Sequence, residues 1–302
     1  MNPLVSVIIP NHNYGRYLRE AVDSVLAQTY PHREILVVDD GSTDESPDIL
    51  RSYGDRVRGI RQARQGVAAA RNRGVANSRG ALMAFLDADD RWRPEKLARQ
   101  VARWCADPSL GLVHCGVHMI DAEGARLGTV CEGVEGWVAQ ELLLFRRLTY
   151  VTGGSGAVVS RESFEEAGGF DARLSTSADW DFYYRIALRR RFAFIPEPLV
   201  EMRRHAQNMH ANIQAMAHDM LAAYAKAFAQ PAPEIRSLRR RAYGNLHMVL
   251  AGCFFRAGRP SACAWHLVRS LWLTPANSRR VLGFPLRWWR RARRQEPLWQ
   301  PG

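Results

Sequence analysis

Apolar positions near the N-terminus fall in two rhythms. Val5–Ile9, Glu34–Val38 and Ala81–Leu86 are short runs rich in branched and aromatic residues. They read as strands buried on both faces, as in a parallel sheet. Val57–Ile60 reads as a further strand. Tyr14–Gln28 places Tyr17, Leu18, Val22, Val25 and Leu26 at helical spacing, a stripe that faces a sheet. Glu45–Ser52 reads as a second helix with Ser42 or Thr43 as its cap, and Gly66–Ala76 as a third with small residues for close packing. Strand–helix alternation of this kind implies right-handed crossovers and an α/β, doubly wound, mostly parallel sheet. Farther on, Val113–Met119 and Phe192–Ile195 read as strands and Arg161–Ala167 as a helix closed by Gly168-Gly169. Residues 121–136 read as loops. Thr152–Ser160 is glycine-rich and then β-like.

Two strands end in acids: Asp39-Asp40 after the second, and Asp87, Asp89 and Asp90 after the run Ala81–Leu86. Carboxylates at the end of a buried strand are costly unless a cation neutralises them. A divalent metal on a diphosphate would do so. Parallel strands also present their carboxyl ends to ligands. The structural alternative is an acidic turn capping a helix that begins near Pro94, with Asp90 as the cap. No G-x-G-x-x-G follows the first strand and no G-x-x-x-x-G-K-[ST] occurs, so dinucleotide-type and P-loop sites lack their phosphate loops.

Composition changes this picture little. The 302 residues suffice for one large α/β domain plus an appendage, and a net charge of +12 favours anionic partners. The five cysteines lack metal-site spacing and read as mostly buried, reduced thiols of a cytosolic protein. The N-terminus has no signal-peptide pattern, and no stretch is apolar enough to span a bilayer. The chain is expected in the cytoplasm or on the inner face of the cell membrane.

VSVIIPNHNYGRYLREAVDSVLAQTYPHREILVVDDGSTDES, GVAAARNRG and GALMAFLDADD together resemble the family 2 glycosyltransferases over roughly residues 4–210. The resemblance implies a GT-A fold and inverting, hexosyltransferase-type transfer from a nucleotide-diphosphate sugar, usually UDP-linked, with Mn²⁺ or Mg²⁺. Carried over by position, Pro10 and Asn11 line the donor site and Asp40 reads the base with Asp39 beside it. Arg71 and Asn72 line the same site, Asp87 faces the ribose, and Asp89 binds metal. Inverting displacement needs a base for the acceptor hydroxyl. Asp179, in Ser177-Ala-Asp-Trp-Asp181, stands where the family places that base, although Ala178 replaces its usual Glu. Asp181 reads as a first-turn helix residue. The family's aromatic-Arg-x-His pattern appears as Met202-Arg203-Arg204-His205, without the aromatic. His205 would be a metal ligand or contact the diphosphate, and Arg203 or Arg204 would neutralise the leaving group.

From about Ala211 the composition becomes Ala-rich and helical, dividing the chain into a catalytic domain over 1–210, a helical appendage over 211–275 and a basic tail over 276–302. Arg236–Arg256 and Ser261–Leu273 read as a hairpin, with Ser261, Trp265, Leu267, Val268 and Leu271 as its packing face. Arg279–Arg294 carries seven arginines among apolar and Trp residues, which suits an anionic membrane surface; a single-stranded nucleic-acid surface would use the same residue types, and a solvated tail is the plain alternative. Expected partners are the nucleotide-sugar donor and a saccharide or lipid-linked acceptor; nucleic acid is not expected. Surface polysaccharide or glycolipid assembly is the setting that the resemblance implies. Two other readings stay open on sequence alone. One is a sugar nucleotidyltransferase, which wants a glycine-rich basic loop where this chain reads PNHNYG. The other is a non-enzymatic membrane- or nucleic-acid-binding protein, which leaves the acidic strand ends unexplained.

Overall fold

A computed structural model describes residues 2–145, 153–205, 208, 212–229, 231 and 233–282. The chain divides into two compact units, Met1–Val138 with Tyr150–Asn208, and Ala139–Thr149 with Met209–Gly302.

The first unit is a mixed α/β layer structure. Its elements begin β1 (Val5–Asn11), α1 (Gly15–Leu26), β2 (Arg33–Asp40), α2 (Ser46–Ser52), β3 (Arg58–Gln62), α3 (Val67–Ala76) and β4 (Leu82–Phe85). The sheet order places β3, β2, β1 and β4 side by side, all parallel. β1 and β4 are buried throughout, as their continuous apolar runs require. Leu18, Ala21, Val22 and Val25 of α1 are fully buried against this sheet. Each larger side chain contributes about 1.5–3 kcal/mol by leaving water. α3 approaches β1 so closely that a Cβ on Gly74 would lie 2.4 Å from Ile8 Cγ2. The expected cap of α2 is not Ser42 or Thr43. Asp44 Oδ1 accepts from Ser46 N instead, because the Ser42 hydroxyl accepts from Asn11 Nδ2 and Asn13 N.

The next elements are β5 (Arg91–Trp92), α4 (Lys96–Ala106), β6 (Leu110–Ile120) and β7 (Arg126–Val130). β7 pairs antiparallel with β6 in the stretch expected to be loop. Within the first unit there follow α6 (Gly153–Gly156), β8 (Val158–Ser160), α7 (Arg161–Ala167), α8 (Ala178–Ala187) and β9 (Arg191–Arg203), with α5 (Ala139–Leu144) belonging to the second. β8 lies between β4 and β6 and is antiparallel to both, and β9 runs parallel to β6. β9 is one strand of 13 residues that runs on through Pro196 and Pro198, beyond the Phe192–Ile195 strand expected. Register shifts at Gly116 let β6 follow it, and a Cβ there would lie 3.0 Å from Glu197 O. Antiparallel β5 holds the far edge of β9, so its end at Arg203 is fixed beside the acidic loop.

The second unit is helical: α5, then α9 (Ile213–Ala227), α10 (Pro233–Arg236), α11 (Arg239–Arg256), α12 (Pro260–Leu273) and α13 (Ser278–Leu282). Tyr224 Oη donates to Leu143 O at 2.7 Å and Asn245 Nδ2 to Leu144 O at 2.5 Å, which seats α5 on α9 and α11. The packing face expected for α12 is found only in part, at half-buried Leu267 and Leu271. Trp265 and Val268 are exposed, and His266 and Ser270 are the buried residues. Ser270 Oγ donates to Gly244 O at 2.7 Å, so the seam is built on small and polar groups. All five cysteines are free, but only Cys115 is buried, contrary to expectation. Among the described residues no helix is long and apolar enough to cross a membrane. The basic tail from Gly283 to Gly302 lies outside the described residues.

Candidate active site

The register of the parallel strands brings the chemistry to one rim. β1 and β2 are in step to Asn11↔Asp39, and β1 with β4 to Ile8↔Phe85, so Asn11, Asp39, Asp40 and Asp87 all leave the same edge. At β1, Pro10 and Asn11 are buried, and Asn11 Nδ2 donates to Ser42 Oγ at 3.1 Å. Ser42 N in turn donates to Asp39 Oδ1 at 3.1 Å. At these two strand ends a pair of buried acceptors has no hydrogen-bond donor among the described residues: Asn11 Oδ1 and Asp39 Oδ2. Arg61 Nε lies 3.6 Å from the latter.

Asp40 is occupied differently. Its Oδ1 accepts from Gln62 Nε2 and Gln65 N, both at 2.8 Å, and its Oδ2 from Gly66 N at 2.7 Å. It anchors the loop that starts α3, where Gly66 takes a φ of 92°. On α3, Arg71 is buried and its Nη2 donates to Asp87 Oδ1 at 2.6 Å. Burial alone would lower its pKa, but Asp87, Asp179 and Tyr183 outweigh that and raise it. Arg71, Asp87, Asp179 and Tyr183 therefore share one electrostatic neighbourhood. Asn72 faces elsewhere: its Nδ2 donates to Phe170 O and its Oδ1 accepts from Phe170 N, at 2.8 and 2.9 Å. That amide latches the loop after α7, and this geometry lends no support to donor binding by Asn72.

The acidic loop after β4 is braced from three sides. Asp90 does not cap the following helix. It accepts from Arg203 N at 2.8 Å and from Ser155 Oγ at 2.5 Å. Burial, then Asp89 and Asp87, hold its carboxyl well above the usual carboxylate range. Ser155 also accepts from Asp87 N at 3.0 Å, and its carbonyl accepts from Trp92 Nε1 at 2.8 Å. Arg203 is buried and its guanidinium is committed inside the protein. Its Nε donates to Asp89 O at 2.9 Å, Nη1 to Ala122 O at 2.8 Å and Nη2 to Glu20 Oε2 at 2.8 Å, while it lies 4.6 Å over the Tyr17 ring. It braces the loop instead of facing a leaving group, which corrects one of the two expectations for this Arg pair. Arg204 is half-buried beyond it, and its N donates to Ile120 O.

Asp89 Oδ2 lies 3.0 Å from His205 Nε2 and accepts from Asn208 Nδ2 at 3.0 Å. Asn208 Oδ1 accepts from His205 N. Tyr17 stacks on the His205 ring at 5.2 Å between centroids, and Tyr14 meets its edge at 5.7 Å. Burial and the neighbouring carboxylates Asp89, Asp87 and Asp90 push the Tyr14 phenol up. Among the described residues no three His, Cys, Asp or Glu side chains cluster as a complete metal cage. An Asp–His pair of hard oxygen and imidazole nitrogen fits a divalent cation that takes its other ligands from phosphate and water.

Asp179 opens α8, with Trp180 N donating to its Oδ1 at 2.8 Å. Asp181 is buried, and Arg185 one turn later grips its Oδ2 with Nε and Nη2 at 3.0 and 2.7 Å. The two neighbouring acids are thus separated by environment. Tyr14, Ser155 and Asn208 escaped the sequence reading. The only signals were the glycines around Ser155 and the closeness of Asn208 to His205.

Gly154 is required by this geometry. A Cβ there would lie 2.2 Å from Arg71 Nη2 and 2.9 Å from Asp87 Oδ1. Gly154→Ala is expected to break the Arg71–Asp87 pair and cost about 1–3 kcal/mol of stability. Donor affinity should fall with it, and thermal melting with nucleotide titration measures both. An unchanged melt and affinity would show that the loop yields freely.

The family model for glycosyl transferase family 2 matches residues 6–168. An "Uncharacterized glycosyltransferase RP339" of Rickettsia prowazekii (strain Madrid E) is 34% identical over 209 residues, 68% of this chain. The match spans 65% of that relative's length. Among solved structures, the mannosyltransferase PcManGT from Pyrobaculum calidifontis, in complex with GDP-Man and Mn²⁺, superposes with a TM-score of 0.64 at 22% identity, over 96% of this chain and 83% of its own. Residues 1–349 of S. aureus TarS, in complex with UDP-GlcNAc, superpose with a TM-score of 0.60 at 15% identity, over 89% and 91% of the two chains. These likenesses agree on a GT-A fold, and with the family model they lead to one statement: the chain belongs to glycosyltransferase family 2.

Proposed function

We propose that this chain is an inverting glycosyltransferase that moves a sugar from a nucleotide-diphosphate donor, a UDP-sugar in the first instance, to an acceptor hydroxyl. The observation that carries the reading is the meeting of Asp87, Arg71 and the electrostatic field of Asp179 at the rim that also holds the Asp89–His205 pair. The buried acceptors Asn11 Oδ1 and Asp39 Oδ2 suit the N–H donors of a pyrimidine base. Asp39 is therefore the better base reader, since loop amides and Gln62 already occupy both oxygens of Asp40. PcManGT holds GDP-Man with Mn²⁺ and TarS holds UDP-GlcNAc, so both nucleotides belong in the test.

In this reading Asp87 faces the ribose, oriented by Arg71. Asp89 and His205, with Asn208 beside them, would hold Mn²⁺ or Mg²⁺, which when bound offsets charge on the departing diphosphate. Asp179 takes the proton of the acceptor hydroxyl as its oxygen bonds to the anomeric carbon and the bond to the diphosphate oxygen breaks. Arg204 is the remaining arginine of its pair for the leaving group. The acceptor class, a surface polysaccharide or glycolipid, rests on the family resemblance.

The test is a panel of UDP-, GDP- and dTDP-sugars, with Mn²⁺, Mg²⁺ or EDTA, followed by product mass. A UDP-sugar should be hydrolysed or transferred, with activity restored by metal after EDTA. Formation of a nucleotide sugar from a nucleoside triphosphate and a sugar phosphate would replace this reading with nucleotidyl transfer. Failure of every donor to bind would remove it.

A further inference from the structure

Helix α12 carries an aromatic stripe on the arc away from its seam with α11. His266 and Ser270 face the seam, where His247 and His266 meet through Nδ1 at 2.8 Å. Trp265, Val268 and Trp272 recur at i, i+3 and i+7 and so share an outer arc, at whose edge the Trp265 ring still meets His247 of α11, 5.5 Å between centroids. They are 50%, 66% and 67% exposed, a contiguous apolar strip of the kind that marks an interaction surface. A guanidinium lies beside one indole, and another reaches the backbone at the end of the helix. Arg269 lies 5.3 Å from the centre of the Trp265 ring. Arg240 donates to the carbonyls of Leu273 and Trp272 at 2.9 and 3.2 Å.

The charge around this strip has one sign. Residues 235–295 contain 14 arginines and no Asp, Glu or Lys, a formal charge of +14 against +12 for the whole chain. The remaining residues therefore sum to −2. Every arginine in the described part of this stretch is exposed.

We propose that this face is a docking surface for an anionic lipid bilayer. α12 lies along the membrane plane, with Trp265, Val268 and Trp272 in the headgroup–acyl boundary and Arg240 and Arg269 on lipid phosphates. Indoles favour that boundary because one edge is apolar and the N–H wants a polar partner. Guanidinium groups match phosphate geometry. An aliphatic side chain between two indoles on a convex helix suits insertion among acyl chains. Stacking of single-stranded bases wants a groove with successive aromatic platforms. Docking of a second copy would bring two strongly positive surfaces together. The inference is independent of the catalytic reading.

The test uses the full chain and its Trp265→Ser/Trp272→Ser variant in flotation with vesicles of phosphatidylcholine, alone or mixed with phosphatidylglycerol. The native chain should float with the mixed vesicles only, and salt should weaken binding as the Debye length contracts. The double variant should bind about tenfold more weakly or worse, and Arg269→Gln should also lose affinity, each with an unchanged melting temperature and donor hydrolysis. Native-like flotation of the Trp variant would overturn the proposal in favour of another contact such as the tail. Absence of native binding would overturn it outright. A Trp-dependent affinity for a single-stranded oligonucleotide above that for vesicles would reassign the face to nucleic acid. A dimer lost only in the Trp variant would reassign it to self-association.

Discussion

Asp89→Ala should abolish sugar transfer, a loss of at least about 10²–10³-fold, while leaving the protein folded. The structural duty of residue 89 passes through its backbone, whose carbonyl accepts from Arg203 Nε, and alanine keeps that carbonyl. The side chain alone offers Oδ2 to His205 and Asn208. Removing it deletes the oxygen donor of the proposed cation pair and leaves one imidazole, too little to hold a hard cation. The Mn²⁺-dependent part of nucleotide affinity should therefore disappear, and the metal-independent part should persist through Asn11 and Asp39. Calorimetric titration of nucleotide with and without Mn²⁺, beside a thermal melt, separates the two. Turnover near the native rate in the variant, or full native turnover after exhaustive chelation, would remove Asp89 from this role.

Much of this rim is legible in the sequence because burial leaves a strong mark. β1, β2 and β4 read as strands since both faces are covered and their apolar runs are nearly unbroken. β7 reads as loop because Arg126–Val130 is an edge strand with little buried surface, and its glycine and polar residues imitate a turn. α6 is written as GGSG, with no periodic side chain to announce a helix. The apolar residues of α12 suggest one hairpin face, but α11 offers Gly244 and His247, so small and polar residues turn inward.

The same limit operates within the site. Clustered carboxylates stand out, but their separate duties depend on which oxygen meets which amide. Asp39 and Asp40 are adjacent and identical in the sequence, and only the path of Gln62–Gly66 distinguishes them. Arg203 and Arg204 likewise diverge where β9 ends: the guanidinium of Arg203 is drawn under the acidic loop, while Arg204, one residue past the strand, is only half-buried.

Asp179→Asn should leave donor and metal affinity near native values while transfer falls by about 10²–10⁴-fold. Asparagine keeps the size of the side chain and can still accept from Trp180 N, so α8 should start as before. It cannot take a proton from the acceptor hydroxyl. The loss corresponds to roughly 3–5 kcal/mol of transition-state stabilisation and should fall on kcat, with donor KM little changed. Asp181→Asn is the contrasting variant. Asp181 Oδ2 is gripped by two nitrogens of Arg185, so that change weakens a buried ion pair and should lower the melting temperature while sparing most of the rate. Rates and melts of both variants with one donor and acceptor decide the assignment. If Asp181→Asn is inactive at native stability and Asp179→Asn keeps most of its turnover, the base lies two residues later, and Asp179 serves only to hold Arg71 and Tyr183 in their field.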